Sequence, residues 1–201
     1  MHLSSLFVIF FLILAVIGAG CTGTRAPASP IVPGVNASLS LFALAPHDLP
    51  AGFTLAENRE KTFDDVGSLA RNLGWDGGYG IRYVLPGPDP GNDTTVIQSI
   101  AVYPEENIPA IATMADGQDR AGFNQTAGNL TLQDLGANSH GFSVSVPPVP
   151  LSPDANRGIT QPVAEIIFSK GRTFEVLRMS GPGTDASTLQ SLAARAYEKI
   201  P

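Results

Sequence analysis

Apolar positions first occur as one continuous run, Leu6 to Gly20 (LFVIFFLILAVIGAG). From Thr22 to about Ser38 (TGTRAPASPIVPGVNAS) there is no periodicity, and Pro, Ala, Ser and Thr dominate, the composition of an extended tether. Beyond Leu39 the pattern breaks into short stretches of period two and period 3.6, which predict strands and helices of one folded domain over residues 39–201.

The Pro-x-Gly of Pro50-Ala51-Gly52 predicts a turn, with a first strand over Phe53–Glu57. A helix is expected from Phe63 to Leu73: Thr62 and Asp65 form a capping pair, Val66, Leu69, Ala70 and Leu73 share a face, and Gly74 supplies a left-handed stop. Tyr79, Ile81, Tyr83 and Leu85 alternate with Gly80, Arg82 and Val84, so a strand runs to Pro86. Thr94–Tyr103 is β-branched and reads as a central strand. A second helix starts near Ile108 with Pro109 in its first turn, and short strands are expected at Leu130–Leu135 and Phe142–Val146. The proline-rich 147–162 segment carries no periodic signal and reads as extended chain.

Val163–Phe168 and Thr173–Met179 flank Lys170-Gly171-Arg172 as an antiparallel hairpin. A register pairing Phe168 with Phe174 and Ile166 with Val176 keeps one face apolar, and is preferred because a one-residue slip exchanges the faces. A closing helix over Asp185–Ile200 places Leu189, Leu192, Ala193, Ala196, Tyr197 and Ile200 on one stripe. The order is strand, helix, two strands, helix, four strands, helix. That order predicts an α+β fold, an antiparallel sheet covered by helices, with a closing β-hairpin and a C-terminal amphipathic helix.

Composition narrows the partners. The chain has 201 residues and a formal net charge of −6, with all twelve Lys and Arg after Cys21, so nucleic acid and anionic headgroups are disfavoured. Cys21 is the single cysteine, which leaves no disulfide and requires an ordinary hydrophobic core. Gly (21) and Pro (17) approach a fifth of the chain, which suits a loop-rich fold.

Gly18-Ala19-Gly20-Cys21, small residues before a lone cysteine, resembles the lipobox of prokaryotic lipoproteins. The resemblance implies lipidation at Cys21, cleavage of residues 1–20 as a signal peptide, and a tether over 21–38. Two features depart from it: Gly18 stands where Leu is usual, and no Lys or Arg precedes the apolar run. An uncleaved anchor over Leu6–Gly20 is the alternative. Both place the domain outside the cell, attached to the outer face of the membrane. Asn36, Asn92, Asn124 and Asn129 head Asn-x-Ser/Thr sequons, candidate glycosylation sites in an exported chain.

The stretch Asp48-Leu49-Pro50-Ala51-Gly52-Phe53, the hairpin Ile166–Arg172 and the closing helix resemble a loose group of exported prokaryotic lipoproteins of unassigned function. Their layout is similar to the PsbP protein of photosystem II. The resemblance implies a fold and a binding or accessory role for a membrane complex, and carries over no catalytic residue.

Candidate chemistry is sparse. Asn138-Ser139-His140-Gly141 approaches the Gly-x-Ser-x-Gly nucleophile elbow, which would make Ser139 and His140 the centre of a surface serine hydrolase. The elbow needs a helix after the serine, whereas Phe142–Val146 reads as a strand. The scattered His, Asp and Glu show no metal-ligand spacing, and no cofactor motif is present. Trp75 and Tyr79, among Gly74, Gly77, Gly78 and Gly80, are candidates for lining a ligand pocket, with core packing as the plainer role. The function expected is therefore a membrane-anchored, non-catalytic domain binding a protein partner or small-molecule ligand.

Overall fold

A computed structural model describes residues 38–89, 91–122, 128–132, 135–146 and 161–201. Cys21, Asn36, Asn124 and nearly all of the proline-rich 147–162 segment lie outside them.

The strands are β1 (Thr54–Lys61), β2 (Gly77–Leu85), β3 (Thr94–Val102), β4 (Gly128–Asn129), β5 (His140–Val146), β6 (Gln161–Lys170) and β7 (Thr173–Ser180). The helices are α1 (Ser68–Asn72), α2 (Ile108–Gly122) and α3 (Ala186–Lys199). The strands form one seven-stranded sheet in the order β1-β2-β3-β7-β6-β5-β4, antiparallel at every pairing. Two meanders make this order. β1 to β3 run inward from one edge, α2 carries the chain across one face, and β4 to β7 run inward from the other edge until β7 pairs with β3. The α+β architecture and the order of elements match the sequence pattern. No helix among the described residues is long and apolar enough to cross a membrane.

Each face of the sheet has its own core. On one, the α3 stripe of Leu189, Leu192, Ala193 and Ala196 packs on Ile100, Ile166, Phe168, Leu177 and Met179. Burying one such leucine contributes about 1.5–3 kcal/mol. On the other, Ile108, Ile111 and Ala112 of α2 meet Ile167, Phe174 and Trp75. The α3 start is set by Asp185, whose carboxylate accepts from the Thr188 backbone N–H at 2.8 Å and the Ser187 hydroxyl at 2.6 Å. Asp185→Ala should cost about 1 kcal/mol, read as a lowered urea midpoint with an unchanged slope.

Because helices cover both faces, β6 is buried almost end to end and alternation does not report its register. The hairpin pairs Lys170 with Thr173, Phe168 with Glu175 and Ile166 with Leu177, around a two-residue turn at Gly171-Arg172. Gly171 takes the positive φ of 55° that such a turn needs. The expected pairing of Phe168 with Phe174 is therefore corrected. Glu175, not Phe174, lies beside Phe168 on the α3 face.

Three further expectations change. The Phe63–Leu73 helix divides into a 3-10 turn at Phe63–Asp65 and the short α1, because Val66 is extended (φ −120°, ψ 142°). The Asp65 carboxylate that accepts from the Thr62 N–H at 2.7 Å closes that turn upon itself. The left-handed stop at Gly74 is present, with φ 80° and paired bonds from Gly74 N–H to Arg71 and from Trp75 N–H to Ala70. β1 extends four residues past Glu57 because it is a solvated edge strand, where charged residues protect the open side. Of the strand expected at Leu130–Leu135, residues 133–134 lie outside the described residues, and the others are not in a strand; β4 pairs at Gly128–Asn129, with one further bond from Leu130 N–H to Gly141.

Residues 42–49 are held on the α3 face by a buried polar network. Gln98 accepts from the Leu44 N–H at 2.7 Å and donates to Glu175 at 2.7 Å, and the Tyr83 hydroxyl donates to the Leu44 carbonyl at 2.8 Å. Lys199 donates to the Ala43 carbonyl at 3.0 Å and to the Asp48 carboxylate at 2.6 Å, and the Arg195 guanidinium reaches the Asp48 carbonyl.

Candidate functional site

A cleft of about 600 Å³ opens where β1 runs into the Thr62 turn and α1 returns to β2. That volume lies within the range of small-ligand sites. Gly74 turns the chain so that Trp75 folds back over β2, and the missing side chain of Gly78 makes room for it: a Cβ there would lie 3.2 Å from the indole and 2.9 Å from the Ile100 carbonyl. Trp75 is buried, with its ring 5.1 Å from that of Phe63 in an edge-to-face arrangement at 74°. Phe63 forms the outer wall and is 56% exposed.

Lys61 completes the floor. Its stem crosses the side-chain-free surface of Gly78 and Gly80, at 3.4 Å from the Cβ position of each, and its ammonium donates to the Ser99 hydroxyl at 2.5 Å. Burial, reinforced by the nearby Arg59 charge, brings its pKa down to about 8. Asp76 sits on the rim and accepts from Arg172 of the hairpin turn at 3.0 Å, while Glu60, paired with Tyr79, borders the cleft from the α3 face of the strand end. Ser38, the first described residue, is also on the rim.

Trp75 and Tyr79 do not converge. Tyr79 is buried in the α3-side core with Phe42 and Leu44, while Trp75 belongs to the α2 side. The residues beside Trp75 are Phe63 and Lys61, neither of them singled out by the sequence pattern. The signal was available in the i, i+2 spacing of Gly78 and Gly80, which strips one face of a strand and leaves space for neighbours.

Ser139 and His140 line a second, polar cleft of about 460 Å³ with Asp116 and Arg120 of α2. The Ser139 hydroxyl donates to the Gly136 carbonyl at 2.9 Å, within its own turn, and β5 rather than a helix follows. Arg120 makes two bonds to Asp116, at 2.8 and 2.9 Å, and lies 5.0 Å over the Phe142 ring. An active-serine probe should label wild type and Ser139→Ala alike, as seen by in-gel fluorescence; label lost only in the variant would restore the hydrolase reading. Among the described residues no group of three His, Cys, Asp or Glu is placed to hold a metal ion. Of the sequon asparagines described, Asn92 is half-buried in the β2–β3 turn and Asn129 is exposed in β4.

Two glutamates are wholly buried. Glu165 pairs with Arg178 directly across the hairpin, and Arg178 also reaches Asp119 of α2 at 3.2 Å. Glu175 stands between Phe168 and Ile100 on the neighbouring strands, with one oxygen bound by Gln98 and the other meeting no donor among the described residues. Burial pushes the Glu175 carboxyl up to about 8.

An antiparallel sheet with one long helix on each face and an open cleft at the β1–β2 end defines the class of domain. No family model matches the chain, and no curated protein matches it in sequence. Among solved structures, the extracellular domain of PknH from Mycobacterium tuberculosis is similar, with a TM-score of 0.57 and 8% sequence identity over 80% of this chain and 93% of that one. At that identity the likeness is one of fold alone.

Proposed function

We propose that this chain is an exported, membrane-tethered domain that binds a ligand or partner without transforming it, and that the Trp75 cleft is its binding site. The observation that carries the reading is the Phe63 ring, more than half exposed and braced from behind by Trp75 at the mouth of a ligand-sized cleft. Exposed aromatic surface held rigid is costly in water and suited to recognition. The apolar run ending at Cys21 and the proline-rich stretch after it support an exported, lipid-attached address. A neighbour in fold that is itself an extracellular domain agrees with that address. The engaged Ser139 hydroxyl supports binding rather than hydrolysis.

Cys21→Ser is expected to move the protein out of the membrane fraction, and intact mass of the wild type is expected to show loss of residues 1–20 and gain of lipid. An uncleaved chain that stays membrane-bound after the substitution would establish the plain anchor instead.

A further inference from the structure

We infer that Asn129 is a residue at which this domain carries an N-linked glycan, and that Asn92, the other sequon asparagine described, stays bare. The inference rests on the exported address proposed above, because the sugar donor is a lipid-borne glycosyl phosphate outside the cell.

The sequon Asn129-Leu130-Thr131 is folded with its middle residue inward and its two reactive residues outward. Leu130 donates its N–H to the Gly141 carbonyl at 2.9 Å and packs, half-buried, against the α3-side core. Asn129 is paired with Phe142 of β5, and the Thr131 carbonyl accepts from Gln190 of α3 at 3.1 Å, so the backbone is held on both sides of Leu130. Asn129 and Thr131 are both exposed. Neither the Asn129 carboxamide nor the Thr131 hydroxyl has a hydrogen-bond partner among the described residues. A glycan on Asn129 therefore displaces nothing from the fold.

Asn92-Asp93-Thr94 is built into the fold instead. Asn92 is half-buried, and Thr94 is only 4% exposed. The Thr94 hydroxyl accepts from the Gly183 N–H at 2.8 Å, and the Asp93 carboxylate accepts from the Gly87 N–H at 3.1 Å. Transfer needs the asparagine carboxamide and the hydroxyl two residues on to be presented together, and here that hydroxyl is engaged where β7 hands over to α3.

The sheet's two edges show what a sugar at Asn129 does. β1 carries Glu57, Arg59, Glu60 and Lys61 along its open side. At the opposite edge β4 is Gly128-Asn129, followed by Leu130 and Thr131, with no charge among them. An open edge without charge invites pairing with another chain. A hydrated glycan on Asn129 supplies by bulk the protection that β1 has from its charges. Asn129 also borders the polar cleft beside Asp116 and Arg120, so the sugar leaves the surface over polar groups.

The bond is made by a separate transferase. The Asn129 side-chain nitrogen attacks C1 of the donor sugar, and the bond from C1 to the lipid phosphate oxygen breaks. The phosphate departs with that electron pair, the amide proton passes to a base of the transferase, and nothing is oxidised or reduced.

The test uses the full chain made in the cells it comes from and extracted from their membranes. Tryptic peptides are read by mass, with electron-transfer fragmentation to place each modification. Peptide 121–157 is expected to carry sugar on Asn129, and peptide 83–120 is expected to be bare. Asn129→Gln and Thr131→Ala should each abolish the sugar at position 129, and Thr131→Ser should retain it. Both positions are exposed, so the urea midpoint should stay that of wild type in all three. Protease added to intact cells reads the address independently. A bare Asn129 in protein that is digested from outside overturns the glycan and leaves the exported reading standing. A bare Asn129 in protein that is protected overturns both. Sugar on Asn92 overturns the selection between the two sequons.

Discussion

Raising the pH from 5 to 9 should destabilise this protein, and Glu175→Gln should remove about half of the loss. The folded-state pKa of Glu175 is raised to about 8 from an ordinary 4.5 by burial between Phe168 and Ile100. The folded protein therefore keeps a proton that the unfolded chain releases. Stability from this group is complete below pH 4.5, declines as the pH climbs, and is lost above about 8. A shift of that size corresponds to on the order of 4 kcal/mol at pH 9, a large part of a typical domain's total. Glu165, also raised to about 8 by burial against the opposing pull of Arg178, adds a slope of the same sign. The measurement is urea denaturation at a series of pH values. Glutamine keeps the shape and still accepts from Gln98, so the variant should match wild type near pH 5 and exceed it at pH 9. Identical pH profiles for the two proteins would show that Glu175 ionises in the fold without penalty.

Gly181→Ala is expected to be strongly damaging, because it combines a left-handed backbone with a backbone clash. Gly181 joins β7 to α3 with φ 112°, a region closed to residues bearing a Cβ. An added Cβ would lie 2.2 Å from the Asp93 carbonyl oxygen and 2.8 Å from the Thr94 Cα, both backbone atoms that cannot rotate aside. The cost should be at least about 3 kcal/mol, read from the urea midpoint. Gly171→Ala is the control. It has φ 55° and nothing within 4 Å of the new methyl, so only the left-handed penalty of about 1 kcal/mol applies. Equal effects of the two substitutions would mean that the contact with Asp93 relaxes freely.

The two glycines also show what a sequence can and cannot disclose. Gly171 sits between two strand-like runs and marks a turn on local grounds alone. Gly181 owes its constraint to Asp93, far away in the chain, and no local pattern announces it. The same division runs through the fold. Element order, the Gly74 stop and the α3 stripe were legible because each depends on neighbours within a few residues. The hairpin register was not, because helices cover both sides of β6 and its apolar residues favour neither face. Trp75 is buried in the α2-side core, the plainer of its two expected roles, and its neighbours at the cleft, Phe63 and Lys61, come from the end of β1 and the turn after it, brought there by pairing with β2. Tyr79, four residues from Trp75, is separated from it by the thickness of the sheet.

The network on residues 42–49 has a mechanical consequence. A pull applied at Ser38 meets the bonds from Gln98, Tyr83, Arg195 and Lys199 before it reaches β1. Those bonds fasten the segment to the middle of the sheet and to the last turns of α3, not to the edge strand. Load therefore enters through the buried α3-side core rather than the edge strand, and β1 is spared being peeled away one bond at a time. Tension at this end is therefore borne first by buried hydrogen bonds to β2, β3 and α3.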